Sequence, residues 1–183
     1  MHRRKLLNLI NQYADLYPDE ISITDRFRAF VTTHERCFER DLWAGHITGS
    51  AWVVNADGTE VLLTHHKKLD IWVQLGGHSD GDSDTPAVAF KEATEESGLI
   101  VSFVDSRIFD LDIHEIPARK NDPGHFHYDV RFAFMAQQRG YVVSEESNDL
   151  AWVPLAELKQ YSEEASLLRM RRKWLRRFFG PST

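Results

Sequence analysis

Cysteine is almost absent from this 183-residue sequence, which contains Cys37 and no other. A disulfide within the chain is therefore excluded, and such low cysteine usage is typical of a reducing compartment. Long apolar runs are missing as well, because no segment approaches the roughly 18 apolar residues of a membrane-spanning helix. The basic start, Met1–Lys5, resembles that of a signal peptide, but the apolar stretch Leu6–Ile10 is too short for one. We expect a cytoplasmic protein without a membrane partner.

Basic residues are outnumbered by acidic ones. The chain has 22 Lys and Arg against 28 Asp and Glu, a formal net charge of -6 and a pI of about 5.8. General nucleic-acid binding needs a broad basic surface, so we expect no nucleic-acid partner. The acidic balance instead suits a protein that holds a cationic metal. The hydrophobic share of 42% and the charged share of 27% are those of an ordinary globular protein.

Helices and strands are mixed along the chain without regular alternation. Helical spacing predicts a helix over residues 3–16 and a second over about 25–40, capped by Thr24. We interpret residues 1–42 as a helical extension packed on a main domain of residues 43–183. In that domain, alternation and turn residues predict strands at 47–54, 60–64, 70–75, 100–104, 108–116, 127–136 and 150–153, and helices at 86–97 and 156–179. This mixture is typical of an α/β or α+β sandwich.

The helix predicted over residues 86–97 carries three closely spaced carboxylates. Glu92, Glu95 and Glu96 stand at positions i, i+3 and i+4, so they share one face of the helix. Carboxylates this close repel one another, and a hard cation such as Mg²⁺ or Mn²⁺ removes that conflict. The opposite face, which carries Ala87, Phe90 and Ala93, is apolar enough to pack on a sheet. From the spacing alone, a solvated acidic surface explains the pattern equally well.

A glycine-containing loop before this helix shifts the balance toward a ligand site. Its two glycines, at 76 and 77, permit a tight path and a close approach of the backbone to a ligand. Loop and helix together resemble the Nudix box, in which a glycine is followed by spaced acidic residues that end in Arg-Glu-x-x-Glu-Glu-x-Gly. The matching residues are Gly77, Glu92, Glu95, Glu96, Gly98 and Leu99. The box covers residues 77–99, and a wider resemblance runs from about 46 to 152.

Two positions depart from the Nudix pattern. Ser83 stands where the family has glutamate, and Lys91 stands where it has arginine. In the family the arginine helps to orient the glutamates, and lysine keeps the charge but loses the planar fork. Asp82 or Asp84 is a candidate partner for Lys91.

The resemblance implies a fold, a reaction and a metal site. The fold is an α/β/α sandwich around a mixed β-sheet, here with extra N-terminal helices and a long C-terminal helix. The reaction is metal-dependent hydrolysis of the pyrophosphate bond in a nucleoside diphosphate linked to another group, so the expected partner is a small nucleotide-type substrate. The implied cofactor is Mg²⁺, with Mn²⁺ as an alternative. The implied ligands and catalytic residues are Glu92, Glu95 and Glu96, with the backbone carbonyl of Gly77 completing the site. We expect a monomer or a homodimer.

A general base is also needed, and some Nudix enzymes use a glutamate on a later loop. Glu145 and Glu146 lie in such a place, before Trp152. We favour Glu146 as the base, although an ordinary acidic loop explains either residue.

A second concentration of polar residues lies between positions 116 and 129. His125, His127 and Asp129 alternate, so a strand points all three to one side. They form a substrate wall, a second metal site or a hydrogen-bonded structural feature. Arg119 and Lys120 are candidate phosphate contacts or solvated loop cations. His78, inside the box loop, is a further candidate substrate contact or an exposed side chain.

Two other functions on the same fold remain open. An isomerase of the isopentenyl-diphosphate type resembles a Nudix branch that uses a catalytic cysteine and histidine metal ligands. Cys37 argues against it, because we place that residue in an N-terminal helix. A nucleotide-binding regulator with weakened catalysis is the second alternative. Ser83 and Lys91 favour the regulator, whereas the intact Glu92, Glu95 and Glu96 argue against it.

Overall fold

The computed structural model describes residues 2–67, 69–118, 123–145 and 147–180. These residues contain five α-helices: α1 (Arg4–Leu16), α2 (Ile21–Thr33), α3 (Thr85–Ser97), α4 (Leu158–Tyr161) and α5 (Ala165–Phe179). Eight strands accompany them: β1 (His46–Val54), β2 (Glu60–His66), β3 (Ile71–Val73), β4 (Leu75–His78), β5 (Val101–Phe103), β6 (Asp110–Ile116), β7 (His125–Ala136) and β8 (Ser147–Pro154). No helix among the described residues has both the length and the apolar character needed to cross a membrane.

The strands form a mixed sheet in which five follow one another in the order β3-β2-β1-β7-β5. Three further strands pair with members of that row: β4 with β1, β6 with β7, and β8 with β2. The α/β class is therefore confirmed, as are the extra N-terminal helices and a C-terminal helix.

The chain divides into two compact units. The first comprises Met1–Ser50, Gly76–Phe90 and Ser106–Phe132, and the second comprises Ala51–Leu75, Lys91–Asp105 and Ala133–Thr183. The proposed division into residues 1–42 and 43–183 stays a prediction.

In the first unit, the N-terminal helices bury one apolar face each. Helix α1 buries Leu6 and Ile10, and α2 buries Phe27 and Phe30. The ring of Phe30 stacks on Tyr128 of β7 with centroids 3.8 Å apart and planes 5° apart. The contact fixes α2 against β7.

In the second unit, strand β2 is the central element. It pairs antiparallel with β8 along its whole length, with Glu60 opposite Pro154 at one end and His66 opposite Ser147 at the other. Helix α5 is tied to the turn before β2, because the indole N–H of Trp174 donates to the carbonyl of Gly58 at 2.8 Å. Gly58 has φ +67, and a Cβ there meets the Trp174 ring at 3.2 Å. Glycine is required at this turn by both its backbone conformation and the close indole ring.

Two helix predictions are wrong at their boundaries. Helix α2 begins at Ile21, so Thr24 lies inside it and is not its cap. It ends at Thr33 rather than near Arg40, because His34 is extended. Phe38 stands seven residues after Val31, which is a helical spacing, but it lies in a turn and its side chain is buried there. The apolar spacing therefore predicts a longer helix than the one that forms. The helix predicted over 156–179 is interrupted at Ser162, which has φ -152 and ψ 134, and the main C-terminal helix starts only at Ala165.

Cys37 lies in a turn after α2, not in a helix, and its side chain is fully buried. Burial raises the pKa of its thiol to about 11. At pH 8 the thiolate fraction is then far smaller than in an unfolded chain, where the pKa is about 8.5. We expect iodoacetamide to alkylate the native protein at least about 100-fold more slowly than the urea-unfolded protein. Mass spectrometry of quenched samples measures both rates, and equal rates would contradict the burial of this thiol.

Candidate functional site

Helix α3 has sequence-encoded ends. At its start, the backbone N–H of Ala87 donates to Asp84 Oδ1 at 3.4 Å, which is an N-terminal capping contact. Both carboxylate oxygens of Asp84 accept from Lys5 Nζ at 2.7 Å. At its end, Gly98 has φ +66 and its N–H donates to the Thr94 carbonyl at 2.9 Å. Glycine adopts this left-handed conformation without steric cost, so the helix stops directly after its glutamates.

The helix approaches strand β1 closely at Gly49. A Cβ at that position meets Val88 Cγ1 at 2.8 Å and the backbone nitrogen of Ala89 at 3.1 Å. The buried face of α3 therefore includes Val88, Ala89 and Ala93. Of the three residues predicted on the packing face, Ala93 is confirmed, whereas Ala87 and Phe90 are wrong because both are exposed.

The structure separates the three glutamates by their exposure. Glu92 and Glu96 follow Val88 at successive intervals of four residues, and both are half-buried. Glu95 lies one row further round the helix and is exposed. It pairs with Lys91 at 3.7 Å across i, i+4, with both side chains more than 60% exposed. Such a pair contributes only about 0.3–0.5 kcal/mol. The side chains of Glu92 and Glu96 are therefore less accessible to water than that of Glu95.

Lys91 pairs with Glu95 on its own helix rather than with Asp82 or Asp84. Asp84 is engaged by Lys5, and Asp82 Oδ1 accepts the Asp84 backbone N–H at 2.8 Å. The residue at the family's arginine position is thus directed along the outer surface of the helix. Ser83 is half-buried between these two aspartates.

The glycines before the helix belong to a strand rather than a loop. Gly76, Gly77 and His78 lie in β4, which pairs with β1. A Cβ on Gly76 meets Ser50 Oγ at 2.2 Å and Ser50 Cα at 2.8 Å, so strand packing excludes any larger residue there. The turn itself lies at Asp80 and Gly81, which have φ 49 and φ 88.

A cluster of histidine rings lies in the first unit. We define the histidine cluster as His46, His125 and His127, whose ring nitrogens lie within 4.8 Å of one another. The His78 ring centroid is 5.1 Å from those of both His46 and His127, and the His114 centroid is 5.3 Å from that of His127. Residues His78, His125 and His127 were singled out from sequence. His46 and His114 were not, because their proximity depends on the pairing of β1 and β6 with β7.

Asp129 does not belong to this cluster, although it alternates with His125 and His127. Its Oδ1 accepts from the hydroxyls of Thr48 and Ser50 at 2.8 Å, and its Oδ2 accepts from Arg131 Nε at 2.6 Å. These three hydrogen bonds make Asp129 a structural carboxylate. Of the three roles considered for His125, His127 and Asp129, the hydrogen-bonded structural role applies to Asp129.

Three residues predicted from the sequence fall outside the part of the chain that the structure describes. Arg119, Lys120 and Glu146 lie outside the described residues, so their roles stay predictions. Glu145 is exposed, and its backbone carbonyl accepts from Lys67 Nζ at 3.5 Å.

No protein-family model and no curated relative matches the chain, but solved structures do. A Nudix-family hydrolase from Clostridium perfringens aligns with a TM-score of 0.52 and 23% identity over 70% of this chain and 95% of its own. An Ap4A hydrolase from C. elegans aligns with a TM-score of 0.54 and 16% identity, over 74% of this chain and 98% of its own. The NUDIX domain of Shewanella oneidensis NrtR, complexed with ADP ribose, aligns with a TM-score of 0.51 and 15% identity. The alignment covers 82% of this chain and 97% of that domain. The Nudix resemblance of the sequence is thereby confirmed at the level of structure: the chain has the Nudix hydrolase fold.

Proposed function

We propose that this protein is a divalent-metal-dependent hydrolase of a phosphoanhydride bond, acting on a nucleoside diphosphate linked to another group. The observation that carries the proposal is the half-buried pair Glu92 and Glu96, one helical turn apart on the box helix of a Nudix fold. Two carboxylates in one row, partly withdrawn from water, supply the hard oxygen donors that Mg²⁺ or Mn²⁺ prefers.

The donor set suits the metal that the fold implies. Glu92 and Glu96 are the proposed principal ligands, and the exposed Glu95 is a secondary one. The resemblance adds the backbone carbonyl of Gly77. When bound, the cation neutralises phosphate charge and lowers the pKa of a coordinated water. The helix contributes orientation, because its capped start and its stop at Gly98 fix the direction in which the glutamates project.

The proposed substrate class is supported by two structural neighbours, one named an Ap4A hydrolase and the other complexed with ADP ribose. In both compounds a phosphoanhydride links a nucleoside to a second group. The candidate substrate contacts in this chain are His78, His125, His127, Arg119 and Lys120. Arg119 and Lys120, the two cations of this set, are proposed to bind the substrate phosphates.

The proposal is tested with a panel of nucleotide sugars, dinucleoside polyphosphates, ADP ribose and nucleoside triphosphates in Mg²⁺. We expect hydrolysis of at least one compound, dependent on the metal and abolished by EDTA. Mn²⁺ binding, followed by electron paramagnetic resonance in the absence of nucleotide, provides a readout that does not depend on the choice of substrate. A folded protein that binds no Mn²⁺ and hydrolyses none of the panel would contradict the proposal. Nucleotide binding without turnover would favour the regulator.

A separate prediction concerns the general base. We expect Glu146→Ala to lower kcat by about 10²–10⁴ while changing KM much less, because a base acts mainly in the transition state. The acidic limb of the pH–rate profile should also disappear. Glu145→Ala is the neighbouring comparison, and Glu163→Ala, at an exposed position, is the control. If the variants at 145 and 146 both keep the full rate, the base lies elsewhere, on α3 or at His125 or His127.

A further inference from the structure

The histidine cluster is assembled by strand geometry from two distant parts of the sequence. His46 is the first residue of β1, and His125 is the first residue of β7. Because side chains alternate along a strand, His125 and His127 point to the same side of β7. The result is three imidazoles with their nitrogens within 4.8 Å of one another. Three nitrogens on one tetrahedral Zn²⁺ ion lie about 3.3 Å apart, so the rings need to converge only modestly.

Several nitrogens in the cluster have no hydrogen-bond partner within the described part of the chain. They are both ring nitrogens of His46 and Nε2 of His127, and all three atoms are buried. A weak contact with the Leu42 backbone still acts on the His46 ring and favours a proton there. The His46 side chain is only 2% exposed. Buried polar atoms in folded proteins are almost always paired, so each exception requires a physical explanation. A metal ion is a partner that accepts lone pairs from several imidazoles at once.

His125 is held in the orientation that a metal ligand needs. Its Nδ1 lies 2.9 Å from the Pro123 carbonyl, and only a protonated nitrogen donates to a carbonyl oxygen. The lone pair is therefore left on Nε2. This is the usual outer contact of a metal-ligating histidine, which fixes the tautomer and the plane of the ring. Trp43 packs its ring edge against the same imidazole, with centroids 5.8 Å apart.

Burial lowers the pKa of two imidazoles in the cluster. Burial, followed by the neighbouring His78 and His125, lowers the pKa of His46 to about 4. Burial, followed by His46, His78 and the other rings, lowers the pKa of His127 to about 2. Both shifts follow mainly from the burial of the rings.

The donor chemistry selects the kind of metal. Imidazole nitrogen suits Zn²⁺, Ni²⁺, Cu²⁺ and Fe²⁺, whereas Mg²⁺ prefers oxygen. The carboxylate nearest in sequence, Asp129, is already held by Thr48, Ser50 and Arg131. We propose that His46, His125 and His127 bind one divalent transition-metal ion of the Zn²⁺ class, through a ligand set that shares no residue with the proposed Mg²⁺ ligands on α3. The proposal does not depend on the phosphoanhydride hydrolase activity.

The test begins with metal-stripped wild-type protein. Titration with Zn²⁺ against a chromophoric chelator, and with Co²⁺ followed by its visible d–d absorption, should give one ion per chain. Zn²⁺ should raise the melting temperature, and a large excess of Mg²⁺ should not displace it. If the wild-type protein binds no Zn²⁺ or Co²⁺ under these conditions, the proposal is overturned.

Variants then locate the ion. We expect His127→Gln and His125→Gln each to weaken Zn²⁺ binding by at least about 100-fold, since even the loss of an outer contact costs 10–100-fold. The matched control is His65→Gln, because His65 stacks on Trp72 of β3 and lies outside the cluster. Glu96→Gln should also leave Zn²⁺ binding unchanged. Circular dichroism checks that each variant is folded, and either of the two histidine variants serves if the other is not. Equal Zn²⁺ affinity in all variants, or its loss only in Glu96→Gln, would refute the assignment.

Discussion

Glu96→Gln is expected to lower turnover by roughly 10²–10³-fold while the protein stays folded. A bound divalent cation supplies several kcal/mol of transition-state stabilisation, and each 1.36 kcal/mol corresponds to a factor of ten in rate. Glutamine keeps the shape of the side chain and removes its charge. Glu92 is then left as the only charged member of the half-buried row. The stability of α3 should change little, because glutamine and glutamate have similar helix propensities.

The comparison among the three glutamates makes this experiment specific. Glu95→Gln should have a smaller effect than Glu96→Gln, because Glu95 is exposed and paired with Lys91. Glu163→Gln, on an exposed residue before α5, is the charge-matched control and should retain the wild-type rate. The rates are measured at saturating Mg²⁺ with the substrate found in the panel, and Mn²⁺ affinity is measured in parallel. Near-normal turnover of Glu96→Gln under these conditions would rule out the assignment.

Local patterns in the sequence predicted most of the regular structure. The helix over 86–97 was found because Pro86 near its start and Gly98 after its end are strong boundary signals, and the structure places it at Thr85–Ser97. Seven of the eight described strands coincide with predicted ones, whereas β4 was missed because Gly76 and Gly77 are more typical of a loop. The boundary of α2 was missed for an equally local reason: Phe38 continues the apolar spacing, although its burial comes from a turn. Sequence spacing does not distinguish these two ways of burying a side chain.

The histidine cluster shows where local patterns stop being informative. His125 and His127 were recognised because they alternate within one strand. His46 lies almost 80 residues earlier, and nothing in its own segment predicts that β1 pairs with β7. One signal was present: His46, Thr48 and Ser50 alternate as polar residues on a strand that is buried throughout. Buried polar residues on one face require partners, and the structure supplies Asp129 for Thr48 and Ser50.

Arg131→Met is expected to reduce the free energy of unfolding by about 3–5 kcal/mol. Arg131 is 2% exposed and lies opposite Asp110 in the antiparallel register of β6 and β7. Its guanidinium contacts three carboxylates: Asp129 at 2.6 Å, Asp110 at 3.3 Å and Asp112 at 3.4 Å. Burial opposes its charge, but the three aspartates outweigh that effect and raise the pKa of the guanidinium. Methionine fills much of the volume but leaves Asp110 and Asp129 buried without their cation.

The expected loss is a large share of the 5–15 kcal/mol by which a domain of this kind is stable. Urea unfolding measures it, with Arg36→Met as the control, since the Arg36–Asp41 pair is exposed and worth at most about 1 kcal/mol. The double variant Arg131→Met with Asp129→Asn should recover part of the loss. Asparagine removes a buried charge, and its side-chain carbonyl still accepts from Thr48 and Ser50. If instead the single variant loses less than about 1 kcal/mol, the buried aspartates do not need this cation. If the double variant loses the sum of both changes, packing rather than charge accounts for the destabilisation.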